Sequence, residues 1–503
     1  MNFNITDNEY WWGGRVHDGV CMPIDGDSVY TADLSESTPN HSSPLFVSSK
    51  GRYIWSDEPF KIEVNKGIVN VTGNNVRLFE GFENLKGACI AAAKNHFKFG
   101  GKIPAAEFFE KPQYNTWIAL NHNQTQKGVL DYAKEIIRLG LTPGVLMIDS
   151  CWERWFGELE FDGSRFENPS AMTEALHNMG FKIMLWVSPC VSPDSFTFRK
   201  IRNSDILLKD GNGETAVRSW WDGYSAVLDL TNPNARKYFE DKLNGLRDKY
   251  GIDGFKFDAG DFYFYKDDDK SYTGASAQEQ AQAFAEFAER FSFNELRVSW
   301  KNGGEALVMR LSDKMHSWDG YGLNMVMPNT FVCGMLGYPY CCPDMIGGGE
   351  YMQFNECADS LDAELFVRYA QASALMPMMQ FSALPSCLKD ETAVLYIRKA
   401  AKLHEKMGGY ILETAKKSAK TGEPIMRHMA YEFPNEGFEK VNDQFMLGEK
   451  FLVAPVVVKG QRERKVKLPK GKWRYCPNGT DTDGGTTIKA EAPLGVLPYF
   501  ERI

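Results

Sequence analysis

The sequence predicts an α/β protein, a (β/α)8 TIM barrel flanked by an N-terminal β-sandwich and a C-terminal β-domain. Between about residues 106 and 419, short apolar stretches alternate with amphipathic helical patterns. That order makes a parallel sheet with helical crossovers. Residues 1–105 and 420–503 instead contain short alternating stretches broken by turn residues. Several of the central apolar stretches end in a polar residue, and carboxyl ends of strands are where such barrels carry their chemistry.

Composition limits the classes of function. The chain has 503 residues, of which 43% are hydrophobic and 13% aromatic, and its net charge is -9. It can bury several cores but has no basic field, so we expect neither nucleic acid nor membrane as a partner. The N-terminus has no basic segment followed by an apolar run, and the ten cysteines are scattered. We therefore expect a cytoplasmic protein, and the number of subunits stays open, a homo-oligomer included.

The two flanking regions have strand periodicity. Residues 48–55 and 60–71 alternate and lie beside Gly or Asn, which favours a sandwich in the first region. In the last region, residues 451–458, 465–468 and 472–475 are separated by Pro and Gly turns and predict a small sheet.

The central region supplies eight candidate strands. Five are clear, and weaker ones lie near Met315, Tyr338 and Met378; the clear ones are residues 116–121, 145–149, 183–187, 255–258 and 296–300. Between and after them, apolar residues at three- and four-residue steps predict helices over residues 129–139, 235–250, 277–291 and 391–418.

Residues 251–261 combine a buried-strand pattern with charged residues. Phe255 and Phe257 alternate with Lys256 and Asp258, so a strand here sends two aromatic rings to one side and a cation and an anion to the other. A structural ion pair and a reactive carboxylate both fit this pattern, and the pattern alone leaves both open.

A second carboxylate decides which chemistry is possible. Cleavage of a glycosidic bond uses one ionised carboxylate and one protonated carboxyl group. Asp313, Asp319 and Asp344 are candidates for the partner. The eight histidines are dispersed and no cysteine spacing is that of a zinc site, so we expect no metal and no cofactor.

Several motifs occur in the order typical of one family. The stretch Gly-Phe-Lys-Phe-Asp-Ala-Gly-Asp at residues 254–261 resembles the nucleophile motif of glycoside hydrolase family 31. Further stretches are similar to that family's landmarks, at residues 149–157, 186–189, 343–348, 377–382, 445–448 and 452–455. The resemblance covers nearly the whole chain and is weakest before residue 100. Residues 297–300, 310–314 and 336–339 look most like the branch of this family that acts on α-galactosides.

The resemblance implies a retaining exo-acting α-glycosidase that removes a terminal α-linked hexose from a small carbohydrate, with α-galactosides favoured and α-glucosides next. Asp258 is then the nucleophile and Asp313 the general acid. The family's usual Gly-Asp-Asn is replaced by Ser312-Asp313-Lys314. Asp313 nevertheless follows Arg297 by 16 residues (313 − 297) and precedes Trp318 by 5 (318 − 313), which are the family's spacings, whereas Asp319 matches neither.

The same resemblance implies the binding residues. Asp149 is expected to accept hydrogen bonds from sugar hydroxyls, Lys256 to keep the nucleophile ionised, and Arg297 to brace the 2-OH side. Trp186, Trp221 and Trp318 are candidate pocket walls, and Asp344 is expected to hold other site residues at the barrel mouth. A transglycosylase with the same site, and a non-catalytic sugar-binding barrel, remain alternatives.

Overall fold

A computed structural model describes residues 1–503. The N-terminal region forms two antiparallel four-stranded sheets, ordered β1-β7-β6-β3 and β2-β4-β5-β8. Their facing apolar side chains include Phe3 and Trp11, whose rings lie 5.6 Å apart. The strands are β1 (Asn2–Asn4), β2 (Trp11–Arg15), β3 (Val29–Asp33), β4 (Ser42–Ser48), β5 (Tyr53–Trp55), β6 (Lys61–Asn65), β7 (Ile68–Thr72) and β8 (Arg77–Phe79). This is the predicted sandwich.

The central region is the predicted barrel. Eight strands form one parallel sheet in the order β19-β9-β10-β11-β15-β16-β17-β18. The Ile346 N–H donates to the Gln380 carbonyl at 2.8 Å, which joins the chain after β18 to β19 and closes the ring. The strands of this region are β9 (Gln113–Asn115), β10 (Val145–Ile148), β11 (Lys182–Val187), β12 (Cys190–Val191), β13 (Val217–Trp220), β14 (Gly223–Val227), β15 (Gly254–Phe257), β16 (Asn294–Leu296), β17 (Met309–Arg310), β18 (Cys341–Cys342) and β19 (Gln380–Phe381).

Five strand predictions of the central region were misplaced. The strand expected at residues 296–300 is observed at Asn294–Leu296 and shares only Leu296 with the prediction. Residues 116–121 are not a strand, because the Asn115 side chain accepts the Trp117 N–H at 2.8 Å and turns the chain into a short helix. The weak strand expected near Met315 is observed six residues earlier, at Met309–Arg310. Those expected near Tyr338 and Met378 begin three and two residues later, at Cys341–Cys342 and Gln380–Phe381. Strands of two residues carry no periodicity from which to locate them.

The four predicted helices are present, at Gln126–Arg138, Pro233–Tyr250, Ala277–Ala288 and Glu391–Thr421, and the barrel region contains further helices that the apolar periodicity did not predict. The helix Pro233–Tyr250 begins after the N-cap Asn232 and is followed by Gly251, whose φ of 71° is the left-handed conformation that glycine adopts without strain. The helices are α1 (Leu85–His96), α2 (Glu107–Glu110), α3 (Trp117–Leu120), α4 (Gln126–Arg138), α5 (Pro169–Asn178), α6 (Phe196–Ile201), α7 (Pro233–Tyr250), α8 (Ala277–Ala288), α9 (Leu323–Met335), α10 (Tyr351–Glu356), α11 (Ala363–Ala374), α12 (Glu391–Thr421) and α13 (Met429–Glu432).

The C-terminal region is a β-domain with a six-stranded sheet, β20-β21-β22-β27-β24-β25, and a two-stranded sheet, β23-β26. Its strands are β20 (Met426–His428), β21 (Phe445–Leu447), β22 (Phe451–Val453), β23 (Glu463–Leu468), β24 (Lys472–Tyr475), β25 (Thr480–Asp483), β26 (Thr486–Glu491) and β27 (Tyr499–Arg502). No helix has the length and apolarity needed to cross a membrane. The predicted fold class is confirmed.

Candidate active site

A cavity of about 310 Å³ opens where the barrel strands end at their carboxyl side. Asp149 follows β10, Asp258 follows β15 and Arg297 follows β16 directly. The cavity is lined by Trp117, His122, Asp149, Ser150, Trp186, Trp221, Asp222, Lys256, Asp258, Arg297, Arg310, Asp313, Glu350 and Tyr351. Its volume is at the small end of ligand pockets, roughly 300–1,000 Å³, so it suits a single terminal unit better than the middle of a chain.

Asp258 lies deep in this cavity, with 13% of its side chain exposed. Its Oδ2 accepts the Trp186 indole N–H at 3.0 Å, and its Oδ1 accepts the Ala259 backbone N–H at 2.9 Å. The Arg297 Nε–H donates to the same Oδ1 at 3.3 Å. These donors fix the direction of the carboxylate and satisfy its charge.

The electrostatic environment keeps Asp258 ionised. Burial alone would raise the pKa of its carboxyl group, but the positive charges of Arg297, Lys256 and Arg310 and the hydrogen bond from Trp186 hold that pKa below its ordinary value. An ionised carboxylate with three cations near it is suited to act as a nucleophile or as a charge stabiliser.

Lys256 and Asp149 form a buried ion pair at one side of the cavity. The Lys256 Nζ donates to the Asp149 Oδ2 at 2.7 Å, and both side chains are less than a tenth exposed. Parallel pairing of β11 with β15 places Trp186 opposite Lys256. Asp149 keeps free lone pairs for a hydroxyl group of a ligand, because a carboxylate accepts about four hydrogen bonds.

Arg297 connects several parts of the site. Its Nη2 donates to Oδ2 of the buried Asp261 at 2.7 Å, and its guanidinium carbon lies 5.4 Å from the centre of the Trp221 ring. Its Nη1 donates to the Pro39 carbonyl at 2.9 Å. The cation is thus held between the strand-end carboxylates and an aromatic face that is half exposed to the cavity.

Asp313 differs from Asp258 in exposure and in partners. Its side chain is 42% exposed, and one cation contacts it, since the Arg310 Nη1 donates to its Oδ1 at 2.7 Å. The same Nη1 lies 2.7 Å from Oδ1 of Asp344. Among the carboxylates that line the cavity, Asp258 is buried with several cations near it, whereas Asp313 lies at the rim with one cation in contact.

The remaining predicted residues lie elsewhere. Asp344 is fully buried beneath Arg310 and accepts the Lys314 backbone N–H at 2.8 Å, so it holds the segment around Asp313 without lining the cavity. Trp318 is half-buried outside the lining, and its indole N–H donates to Asp362 at 2.9 Å. Asp319 is exposed and accepts bonds from Ser317 and Tyr321 within its own turn.

Trp221 and the neighbouring Asp222 lie at the turn between β13 and β14. This hairpin is fixed to the chain after Asp258, because the Arg218 Nε donates to the Phe264 carbonyl at 2.9 Å. Burial, together with the charges of Asp258 and Asp149, raises the pKa of Asp222, while His122 opposes the shift. Asp222 makes no ion pair with any cation of the protein.

Seven of the residues that line the cavity were not predicted from the sequence. Ser150, Asp222 and Arg310 are adjacent to, or three residues from, a predicted site residue, and that proximity was a usable signal. Trp117, His122, Glu350 and Tyr351 come from loops and helix starts without any periodicity. No group of three or more His, Cys, Asp and Glu side chains in the structure could hold a metal ion.

Two models of one family match this chain. The model described as the glycosyl hydrolases family 31 TIM-barrel domain matches residues 113–407, and the family 31 C-terminal domain matches residues 422–503. The chain belongs to glycoside hydrolase family 31. Both matches fall on the barrel and the C-terminal β-domain described above.

The curated relatives of this chain are named for different activities. Myogenesis-regulating glycosidase of Mus musculus is 34% identical over 391 residues, which is 76% of this chain and 54% of that protein. Alpha-xylosidase XylQ of Lactiplantibacillus pentosus is 25% identical over 87% of this chain and 59% of its own length. The chain thus spans little more than half of these relatives.

A solved structure shows the same fold. The Flavobacterium johnsoniae family 31 dextranase, in complex with glucose, superposes with a TM-score of 0.85 at 20% identity, covering 100% of this chain and 66% of that one. The likeness shows that the two chains share one fold over the full length of this chain.

Proposed function

We propose that this protein is a retaining exo-acting α-glycosidase that removes a terminal α-linked hexose. The observation that carries the proposal is the pair of unlike carboxylates in one cavity, Asp258 with three cations around it and Asp313 at the rim. Membership of family 31 supports the same reaction.

In the proposed first step, a carboxylate oxygen of Asp258 attacks the anomeric carbon, and the bond to the leaving oxygen breaks as Asp313 donates its proton. The product is a covalent glycosyl ester and a free alcohol. In the second step Asp313 takes a proton from water, which attacks the same carbon and releases the sugar and the Asp258 carboxylate. Two inversions retain the α configuration.

The charge of the cavity supports a neutral sugar. Each lining cation already faces a carboxylate: Lys256 faces Asp149, Arg297 faces Asp258, and Arg310 faces Asp313. No lining Lys or Arg remains for an anionic substituent, although two relatives are named sulfoquinovosidases. An anionic sugar would lose its hydration without gaining a partner.

Among neutral sugars, we propose α-galactosides as the preferred substrates and α-glucosides as the next. The choice depends on the residue stretches 297–300, 310–314 and 336–339, which resemble the α-galactoside-acting branch, and on 34% identity to the mouse glycosidase. Transfer of the sugar to a second carbohydrate uses the same intermediate, and one relative is named an isomaltosyltransferase.

A panel of aryl α-glycosides tests the proposal. We expect the 4-nitrophenyl α-galactoside to have the highest kcat/KM, the glucoside to follow, and the sulfoquinovoside and the β-galactoside not to react. Turnover of the anionic glycoside alone would reject the neutral-sugar assignment. If no α-glycoside is turned over, the proposal that the protein is an enzyme is rejected, and a non-catalytic sugar-binding barrel is favoured.

A further inference from the structure

Asn40 is a fully buried amide of the N-terminal sandwich that reaches the carboxyl ends of two barrel strands. It lies two residues before β4 and is 2% exposed. We propose that Asn40 is a positioning residue for proton donation by Asp313, which it places through the loop of residues 311–322, called the acid loop below. The inference rests on the function proposed above.

The side chain of Asn40 makes three hydrogen bonds, all to barrel backbone. Its Nδ2 donates to the Arg310 carbonyl at 3.1 Å and to the Arg297 carbonyl at 3.3 Å. Its Oδ1 accepts the Ser312 N–H at 2.8 Å. One amide therefore joins the residue after β16 to the last residue of β17 and to the start of the acid loop.

Neighbours of Asn40 strengthen this connection. The Pro39 carbonyl accepts Nη1 of Arg297 at 2.9 Å, and Ser42 forms a parallel bridge with Trp300. The strand-end Arg297 is thus held at its backbone by Asn40 and at its guanidinium by the preceding residue. The sandwich is part of the site's support.

The contacts around Asp313 explain why proton donation depends on Asn40. The preceding residue, Ser312, is held by Asn40, and the following one, Lys314, donates its backbone N–H to Asp344. The Asp313 carboxylate itself is held by Arg310. Removing the Asn40 amide leaves one N–H and two carbonyls without partners in a buried place, and the acid loop must shift to satisfy them. General acid catalysis depends on a heavy-atom distance of about 2.6–3.2 Å, so a small shift is costly.

The chain contains a matched control. Asn294, the first residue of β16, is also fully buried, and its Nδ2 donates to two carbonyls while its Oδ1 accepts one backbone N–H. It lies at the amino end of the barrel strand, opposite the cavity. Asn294→Ala removes three hydrogen bonds of the same kinds, two donated to carbonyls and one accepted from a backbone N–H, from an equally buried position.

The experiment compares two substrates in Asn40→Ala, Asn40→Asp, Asn294→Ala and wild type. A dinitrophenyl α-galactoside has a leaving group that departs without a proton, whereas an α-galactosyl disaccharide needs one. We expect Asn40→Ala to lower kcat/KM for the disaccharide at least tenfold more than for the dinitrophenyl glycoside. Asn40→Asp keeps the shape and the acceptor for the Ser312 N–H but turns an oxygen toward the Arg297 and Arg310 carbonyls, so we expect the same selectivity between the two substrates. Asn294→Ala should affect both substrates equally.

The possible results distinguish the positioning role of Asn40 from the proposed function of the protein. If wild type is active and both Asn40 variants lose the same factor on both substrates, or lose nothing, the positioning role is rejected while the proposed function stands. If Asn40→Ala does not fold, the Asn40→Asp ratio decides. A wild type that hydrolyses neither substrate rejects the proposed function itself.

Discussion

Asp313 is the site residue at which the sequence departs from the family motif, and Asp319 competes with it in the sequence. An activated phenolate leaves without a proton, while a sugar alkoxide does not. We expect Asp313→Ala to lower kcat for a disaccharide by roughly 10²–10⁴-fold and to spare formation of the intermediate from a dinitrophenyl glycoside. Added azide should speed the second step by replacing activated water.

Asp319→Ala is the control for that variant, because Asp319 bonds only within its own turn. It should show no dependence on the leaving group. If Asp319→Ala shows that dependence and Asp313→Ala does not, the assignment from the spacing to Arg297 and Trp318 is wrong.

Asp261 gives the site a pH-dependent contribution to stability. Burial and the Asp258 charge raise its pKa to about 6, against the favourable charge of Arg297. The folded protein thus holds this proton to a higher pH than the unfolded chain, so the contribution is fully present below about pH 4 and is lost as pH rises through about 6. A shift of this size corresponds to up to about 3 kcal/mol.

Urea unfolding at several pH values between 4 and 7 checks this sign. The free energy of unfolding of wild type should fall with rising pH relative to that of Asp261→Asn, which has no group to titrate there. Parallel curves for the two proteins would show that Asp261 has an ordinary pKa.

The strand pattern located residues at the ends of the longer strands, and the family resemblance added Trp221 and Asp313 on loops, but four other loop and helix-start residues were missed. Asp149 and Asp258 follow apolar strands and Lys256 lies within one, so the strand pattern predicted where these residues lie without any assumption about their chemical role. His122 and Tyr351 line the cavity from segments whose path depends on tertiary packing, and no local sequence pattern predicts that path.

Among the elements, the β13–β14 hairpin is one that the strand and helix pattern did not predict. It carries Trp221 over Arg297 and lies against the Phe264 carbonyl through Arg218. We expect Trp221→Ala to lower kcat/KM about tenfold, because it removes the cation–π contact and an aromatic wall for the sugar ring.

Tyr224 provides the matched control on the same hairpin. It is 68% exposed and does not line the cavity. Tyr224→Ala should leave kcat/KM within a factor of two of wild type. Equal losses in both variants would mean that the hairpin acts through its general stability and not through the Trp221 ring.

Short strands explain the errors in the barrel. β10, β11 and β15 have four or more residues, and their apolar runs located them. β17, β18 and β19 have two residues each and are defined by pairing with neighbours, which the sequence does not show.

At the scale of the whole molecule, the three parts share one core. A single cluster of 134 buried residues runs from Trp11 to Phe500. The buried Arg368 of α11 donates to the Gln461, Ala492 and Val496 carbonyls of the C-terminal region. Parts joined in this way cannot unfold alone without exposing apolar surface and unpaired polar groups.

We therefore expect one calorimetric unfolding transition for the full chain. Arg368→Met should lower the midpoint of that transition without splitting it, because it removes hydrogen bonds at the junction. Three separate transitions in wild type would contradict a shared core. The order of motifs along the chain predicted the three parts, but the extent of their packing is visible only in three dimensions.

In the proposed mechanism, Asp258 forms a covalent bond to the sugar. Incubation with 5-fluoro-α-galactosyl fluoride, followed by mass spectrometry of the intact protein and of its peptides, tests it directly. We expect a mass increase of one fluorosugar per chain, located on Asp258 and absent from Asp258→Ala. A stable label on any other carboxylate, or rapid turnover of ordinary α-galactosides with no label on Asp258, would contradict it.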